Sequence, residues 1–189
     1  FQRRADWQML RKYGGGELSN TGPHLIDQVL QIMGEGELEI FADLQHTVGA
    51  GDAEDHVKLV LKNSNGTVAD IEITRCFAYS QPSWFIMGTQ GAIVGDSREL
   101  KVKWYDPSTL PELVLDEGPA AGRRYGTGET IEWHEEVLKP EAGRPSQAIQ
   151  FYDALYETLV NGAPLAVTPE SVRRQIQVIE RAREVANFQ

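Results

Sequence analysis

The stretch HVKLVLKNSNGTVADIEIT, residues 56–74, carries the pattern of two paired strands. Val57, Leu59 and Leu61 alternate with mostly polar neighbours, which is the two-residue period of a strand with one buried face. A second run rich in β-branched residues follows. Asn65-Gly66 between the two runs favours the tight turn of a hairpin. The sequence therefore predicts two antiparallel strands here.

Further strand candidates lie on both sides of this hairpin. They are LEIFADLQHTV before it and WFIMGTQ, AIVGD, ELKVKWYD, ELVLDEG and TIEWHEEV after it. Helical periodicity occupies residues 23–33 and two late segments, opened by Ser146 and by Thr168-Pro169. Helices, then strands, then helices are typical of an α+β domain. We expect an open, largely antiparallel sheet with the late helices covering one face.

Composition limits the class of protein. With 189 residues and 41% apolar composition, the chain is long enough for a core and is expected to form one compact unit. A formal net charge of -10 argues against a nucleic-acid partner, which needs clustered Lys and Arg. No run of about 18 apolar residues predicts a membrane span.

The single cysteine, Cys76, cannot form an internal disulfide, and we interpret it as a small buried side chain. These features together predict a cytoplasmic protein. The chain begins with Phe1 rather than Met, which leads us to expect a fragment of a longer protein.

The strongest candidate site is GGGELSNTGPHLIDQ, residues 14–28. At about 100° per residue, His24 falls on the polar face of the predicted helix, in its first turn. Unpaired backbone N–H groups there favour a neutral imidazole, which can accept or donate the proton of a ligand hydroxyl. Asn20 lies four residues before His24, and Gly15 and Gly16 allow close approach of backbone to a ligand. The plainer interpretation is a glycine turn followed by a solvated or capping histidine.

Other constellations are weaker. His134-Glu135-Glu136 lacks the second histidine of an HExxH zinc site and is interpreted as a charged strand, so no metal site is predicted. The segment GPAAGRRYGTGE, residues 118–129, lacks periodicity and is expected to be an exposed loop. Arg123 and Tyr125 within it could reach an anionic or sugar ligand, although an exposed loop with no such role is commoner.

The block GGGELSNTGPHLIDQVLQIMGE, residues 14–35, resembles the C-terminal-domain signature of the glucose-fructose oxidoreductase, inositol dehydrogenase and MocA family. Gly22, His24 and Asp27 stand at matching positions. GTQGAIVGD at residues 88–96 and GAPLAVTPESVRRQIQVIERA at residues 162–182 are similar to later segments of the family. The resemblance implies the open-sheet fold of the C-terminal domains of dihydrodipicolinate reductase and glyceraldehyde-3-phosphate dehydrogenase.

The resemblance also implies that substrate and cofactor are bound by two different domains. Residues 1–189 would be the substrate-binding and oligomerisation domain, while NAD or NADP would be held mainly by an N-terminal Rossmann domain absent from this chain. No cofactor is therefore expected on the fragment, which we expect to be inactive alone. The family transfers hydride between nicotinamide and a hydroxyl-bearing carbon, commonly of a sugar or cyclitol.

Residue roles follow from the same resemblance. His24 matches the histidine expected to hydrogen-bond the reacting hydroxyl or act as acid/base. Asn20 occupies the position of an aspartate, and an amide cannot accept a proton at neutral pH. The substrate-contacting residues are expected to be Gly15, Gly16 and Asp27 together with Arg123 and Tyr125, the last two on their residue types rather than on the resemblance.

Two other functions stay open. A non-catalytic sugar-binding or scaffold module with the same fold is favoured modestly by Asn20. A metal-dependent hydrolase using His24, Asp27 and the later histidines is weaker, because no two ligands show zinc-like spacing. An open sheet with apolar alternation also predicts a homo-oligomer.

Overall fold

The computed structural model describes residues 1–115, 117–118 and 129–188. The chain divides into two compact units, whereas its length alone predicts one. The first unit combines Phe1–Tyr79 with Gln147–Gln189, and the second is Ser80–Ser146. The first unit is therefore assembled from the two ends of the sequence.

The first unit contains one antiparallel sheet and four α-helices among its described residues. Two single-turn 3₁₀ helices, Trp7–Met9 and Arg11–Tyr13, precede the first α-helix. The α-helices are α1 (Glu17–Asn20), α2 (Gly22–Met33), α3 (Gln147–Asn161) and α4 (Pro169–Ala186). The strands, in sheet order, are β1 (Leu38–Gln45), β2 (His56–Asn63) and β3 (Val68–Thr74).

The hairpin predicted from residues 56–74 is confirmed. β2 and β3 pair antiparallel, with Val60 opposite Asp70. The turn places Gly66 at φ +91°, a conformation that glycine adopts without strain. Asn65 Oδ1 accepts a hydrogen bond of 2.9 Å from the Thr67 N–H, which holds the turn closed.

The core of the first unit lies between this sheet and two helices. Val57, Leu59 and Leu61, the apolar side of β2, are completely buried. α4 packs on β1 and on α2, and α2 also contacts β3. The helices contribute Ile26, Leu30, Met33, Val178, Ile179 and Ala182 to the core. The alternation in β2 therefore correctly identified the buried face of the strand.

The helices that cover the sheet differ from the prediction. α2 and α4 cover it, while α3 has no buried residue. Ser146 and the periodicity that follows it did predict a helix here. Amphipathic periodicity shows that a helix has an apolar side, but it does not show which surface that side meets.

The second unit is a four-stranded antiparallel sheet. Its strands, in sheet order, are β4 (Trp84–Gly88), β5 (Gly91–Gly95), β6 (Leu100–Trp104) and β7 (His134–Leu138). The strand-turn-strand predicted for GTQGAIVGD is confirmed by the pairing of β4 with β5. Residues 112–115, predicted as a strand, are not in one.

The α+β class and the antiparallel pairing are thus confirmed, with the pairing distributed over two sheets. Cys76 is exposed rather than buried, because it follows the end of β3 instead of continuing its inner face. Among the described helices, none is long and apolar enough to cross a membrane.

Candidate functional site

His24 lies in the first turn of α2 and its side chain is exposed. Its backbone N–H donates to Thr21 O at 3.2 Å, and its carbonyl accepts a 2.8 Å bond from Gln28 Nε2. Within the part of the chain that the structure describes, its ring makes no hydrogen bond. The backbone of His24 is therefore fixed while its imidazole is accessible to a ligand.

Asn20 is the last residue of α1 and is half-buried. Its Oδ1 accepts a 3.3 Å hydrogen bond from Gln8 Nε2, and its N–H donates to Gly16 O at 3.0 Å. Thr21 keeps helical dihedral angles between the two helices, so Asn20 and His24 retain about the four-residue spacing of one helical face. No hydrogen bond joins their side chains among the described residues.

Gly15 and Gly16 form a packed turn, as in the plainer interpretation of the sequence. Both are buried, and their N–H groups donate to Leu10 O at 3.1 Å and to Gln8 O at 2.8 Å. A Cβ at Gly15 would overlap the Gln8 carbonyl, and one at Gly16 would overlap the Glu54 carboxyl group. Both glycines thus permit close approach of the protein to itself. Their predicted contact with substrate stays a prediction.

Glu17, one residue beyond this turn, forms a buried ionic link that sequence reasoning missed. Its carboxylate lies 2.7 Å from Arg75 Nη2 and 3.6 Å from Arg4 Nη1, and Thr21 Oγ1 donates to it at 2.6 Å. Only 1% of Glu17 is exposed. It therefore ties the residue before α2 to the end of β3. An acidic residue beside three glycines is the only signal for it in the sequence.

Glu54 lies beneath the glycine turn and is also buried. Its Oε1 accepts a 3.1 Å bond from the Leu18 N–H, and its carbonyl accepts one of 3.0 Å from the Glu17 N–H. Burial raises the pKa of the Glu54 carboxyl, and hydrogen bonds from the backbone N–H groups of Glu54 and Leu18 only partly oppose that effect. A cavity of about 150 Å³ adjoins it, lined by Arg11, Gly14, Gly15, Leu44, Glu54, Arg183 and Phe188.

The remaining predicted residues are placed less directly. Asp27 is half-buried one turn beyond His24, and its Oδ2 accepts a 2.7 Å bond from Gln31 Nε2. Arg123 and Tyr125 lie outside the described residues. In residues 1–115, 117–118 and 129–188, no group of three or more His, Cys, Asp and Glu side chains is placed to hold a metal ion.

Residues 1–94, which carry this arrangement, match the sequence pattern of the GFO/IDH/MocA C-terminal domain. They belong to the GFO/IDH/MocA family. The matched segment includes the glycine turn, α1, α2 and the sheet of the first unit. The family resemblance seen in the sequence is thus confirmed.

The chain is also similar to other proteins over most of its length. The uncharacterized oxidoreductase YhhX of Escherichia coli K12 is 23% identical over 175 residues, which are 91% of this chain and 49% of that protein. An NAD-binding protein from Listeria innocua superposes with a TM-score of 0.71 at 22% identity, covering 98% of this chain and 56% of the other.

A third relative has a named reaction. UDP-N-acetylglucosamine 3-dehydrogenase GnnA from Acidithiobacillus ferrooxidans has a TM-score of 0.64 at 14% identity, covering 88% of this chain and 47% of that one. At such identities the two solved structures establish the shared fold alone. The chain spans about half the length of the relatives it matches.

Proposed function

We propose that residues 1–189 form the substrate-binding and oligomerisation domain of an NAD(P)-dependent oxidoreductase acting on a sugar, cyclitol or related polyol. Family membership supports the reaction class, and the fold shared with a UDP-N-acetylglucosamine 3-dehydrogenase supports a sugar-type substrate. The observation that carries the proposal is the exposed ring of His24 on a backbone held at both of its polar groups.

His24 is proposed to move the proton of the reacting hydroxyl. In the oxidising direction the hydroxyl proton passes to a ring nitrogen of His24 while the carbon–hydrogen bond breaks. NAD or NADP, when bound, accepts the hydride that leaves this carbon. A neutral imidazole accepts such a proton near neutral pH.

Asn20 is proposed to bind the substrate rather than to transfer a proton. Gln8 occupies Asn20 Oδ1, which leaves the Nδ2 group of Asn20 to donate to a substrate hydroxyl. Further substrate contacts are proposed for the turn at Gly15 and Gly16 and for Asp27. Arg123 and Tyr125 complete the proposed set, on their residue types alone.

The nucleotide is proposed to be held mainly by protein outside residues 1–189. Dinucleotide-binding folds place the pyrophosphate at a glycine-rich turn between a parallel strand and the following helix. Every strand pair in the described part of this chain is antiparallel, which supports a substrate-side role for these residues.

The test is turnover by the full-length parent protein. A panel of sugars, cyclitols and polyols is tested with NAD⁺ and with NADP⁺, and reduced nicotinamide is followed by absorbance. With the substrate so found, His24→Ala is expected to lower kcat by about 100-fold or more, as for loss of a general acid/base. His46→Ala, at another exposed histidine, is the matched control. Unchanged turnover by His24→Ala would remove His24 from the chemistry.

A non-catalytic sugar-binding or scaffold module is the second candidate. Asn20 favours it, because the amide cannot complete a carboxylate–imidazole proton relay. This alternative predicts that a polyol raises the Tm of the parent protein while neither nucleotide is reduced. Turnover of any member of the panel that depends on His24 would contradict it.

We also propose that the second unit supplies an oligomer contact. On one face of its sheet, Phe85 and Met87 are 64% and 76% exposed. Cross-strand pairing continues this row through Val94 and Lys101 to Val137 on the far strand. Large exposed apolar side chains such as Phe85 and Met87 are commonly buried against a second subunit.

A further inference from the structure

The last helix, α4, contacts the candidate site at two points. Gln175 Nε2 donates a hydrogen bond to the carbonyl of Pro23, and Arg183 Nη2 donates one to Ser19 Oγ. These donors are eight residues apart, roughly 12 Å along the helix axis. Ser19 and Pro23 lie on either side of Asn20, and His24 follows Pro23 directly.

The Gln175 bond acts on the peptide group that begins His24. The carbonyl of Pro23 and the nitrogen of His24 belong to one planar unit, so anchoring the oxygen also anchors the nitrogen. The N–H of the same unit donates to Thr21 O. The peptide before His24 is therefore held at both of its polar ends.

The location of Gln175 argues that this bond has a specific purpose. Gln175 is buried on the face of α4 that carries Val178, Ile179 and Ala182 into the core. An apolar residue there would avoid the cost of burying an amide. Gln175 meets that cost through its bond to Pro23, whereas the nearby Gln177 is exposed.

We propose that Gln175 is a positioning residue for His24. By fixing the Pro23–His24 peptide it sets the direction in which the imidazole leaves α2. Loss of the bond removes the contact that anchors this peptide to α4, so the first turn of α2 shifts and the ring moves from its present orientation. The importance of this for catalysis rests on the proposed function, but the positioning itself can be tested without activity.

The test uses NMR of the 189-residue chain, labelled with ¹³C and ¹⁵N. Gln175→Met keeps the length of the side chain and removes its donor, and Gln177→Met is the matched control at an exposed position of the same helix. In Gln175→Met we expect changed chemical shifts of the His24 amide and of its ring Cε1–Hε1 pair. The ring signal of His134, in the other unit, is expected to stay in place, and Gln177→Met to leave His24 unchanged.

A second variant covers a failure of Gln175→Met to fold. Gln175→Asn keeps the amide but is one carbon shorter, so it no longer reaches Pro23 and leaves a smaller packing defect. The same His24 shifts are expected in it. Circular dichroism shows whether each variant is folded. Unchanged His24 signals in either variant that is folded would overturn the proposal.

Turnover separates this inference from the proposed function. In the parent enzyme, Gln175→Met is expected to lower kcat about tenfold or more while KM changes less than twofold, since small misplacements of a catalytic group are costly. Altered His24 signals with turnover insensitive to His24→Ala would retain the positioning and reject the proposed function. If turnover requires His24 but the His24 signals are unchanged in Gln175→Met, the proposed function is retained and the positioning by Gln175 is rejected.

Discussion

The carboxyl group of Glu54 fills the space that a side chain at Gly16 would require, because a Cβ there would overlap both carboxyl oxygens. Gly16 also has φ +108°, which residues with a Cβ rarely adopt. We therefore expect Gly16→Ala to lower the free energy of unfolding by about 2–3 kcal/mol, through backbone strain and displacement of a buried hydrogen-bonded group. Urea unfolding followed by circular dichroism measures this loss.

Gly14 provides the control for that measurement. It also has positive φ, +72°, but a Cβ there would have no atom within 4 Å. Gly14→Ala is thus expected to lower the free energy of unfolding through backbone strain alone, by about 1 kcal/mol. Equal losses from the two substitutions would show that contact with Glu54 does not determine the choice of glycine at position 16.

Asp55 is expected to stabilise the fold in a pH-dependent manner. It is buried, which raises its pKa, but hydrogen bonds from the Thr47 hydroxyl and from the N–H groups of Gly49, Val48 and Thr47 outweigh burial and leave the pKa below its usual value. Its stabilisation is therefore complete above the unfolded pKa of about 3.9 and is lost as pH falls through the folded value.

The corresponding variant is Asp55→Asn. We expect it to lower the free energy of unfolding by about 2 kcal/mol at pH 7, since an amide cannot accept all of these bonds. Urea titrations of wild type and Asp55→Asn at pH 7 and at pH 3 test the direction of the pH dependence. The difference between their free energies of unfolding should shrink in acid. A difference that is constant with pH would assign the effect to side-chain shape instead of charge.

Glu54 is expected to show the opposite dependence. Burial places its pKa above the ordinary glutamate value, so its ionisation opposes folding above the folded pKa and has no such effect below the unfolded one. Glu54→Gln keeps an oxygen for the Leu18 N–H and removes the charge. It should be more stable than wild type at pH 7, and this gain should disappear below about pH 4.

The same pair of urea series checks this expectation. Loss of stability at pH 7 in Glu54→Gln would mean that attraction to Arg183 and Arg11 outweighs the cost of burying the charge. Asp55→Asn, at the adjacent residue, serves as the comparison, because it is expected to lower the free energy of unfolding at pH 7 where Glu54→Gln raises it.

Assembly is expected to depend on the exposed face of the second unit. Replacing Phe85 and Met87 together with Ser removes the two most exposed apolar side chains of β4 and should shift the protein from oligomer to monomer. Sedimentation velocity at micromolar concentrations measures the change. Tyr79→Ser, at a residue that is 87% exposed and precedes this sheet, is expected to leave assembly intact. A monomeric wild-type chain would contradict the proposal directly.

Local patterns in the sequence predicted local structure well. The alternation in residues 56–62, the Asn65-Gly66 turn and the periodicity of residues 23–33 each depend on residues close in the chain, and each was confirmed. The packing of α3 and the exposure of Cys76 were predicted wrongly. They depend on which surfaces meet, and a one-dimensional period does not contain that information.

In the candidate site, too, the sequence predicted the local features and missed the long-range contacts. The position of His24 in the first turn of α2 followed from Pro23 and the helical period. The requirement for glycine at position 16 did not follow from the sequence. Its partner Glu54 is 38 residues away, and nothing in either segment signals the contact. Glu17 likewise finds Arg75 across 58 residues.

The bond from Gln175 to Pro23 spans 152 residues. During synthesis, α4 must leave the ribosome before it can dock against α2, so α2 waits with part of its apolar surface uncovered. Long-range closure of this kind slows folding and lengthens exposure to aggregation. The segment that carries His24 thus reaches its final packing only after α4 has been translated.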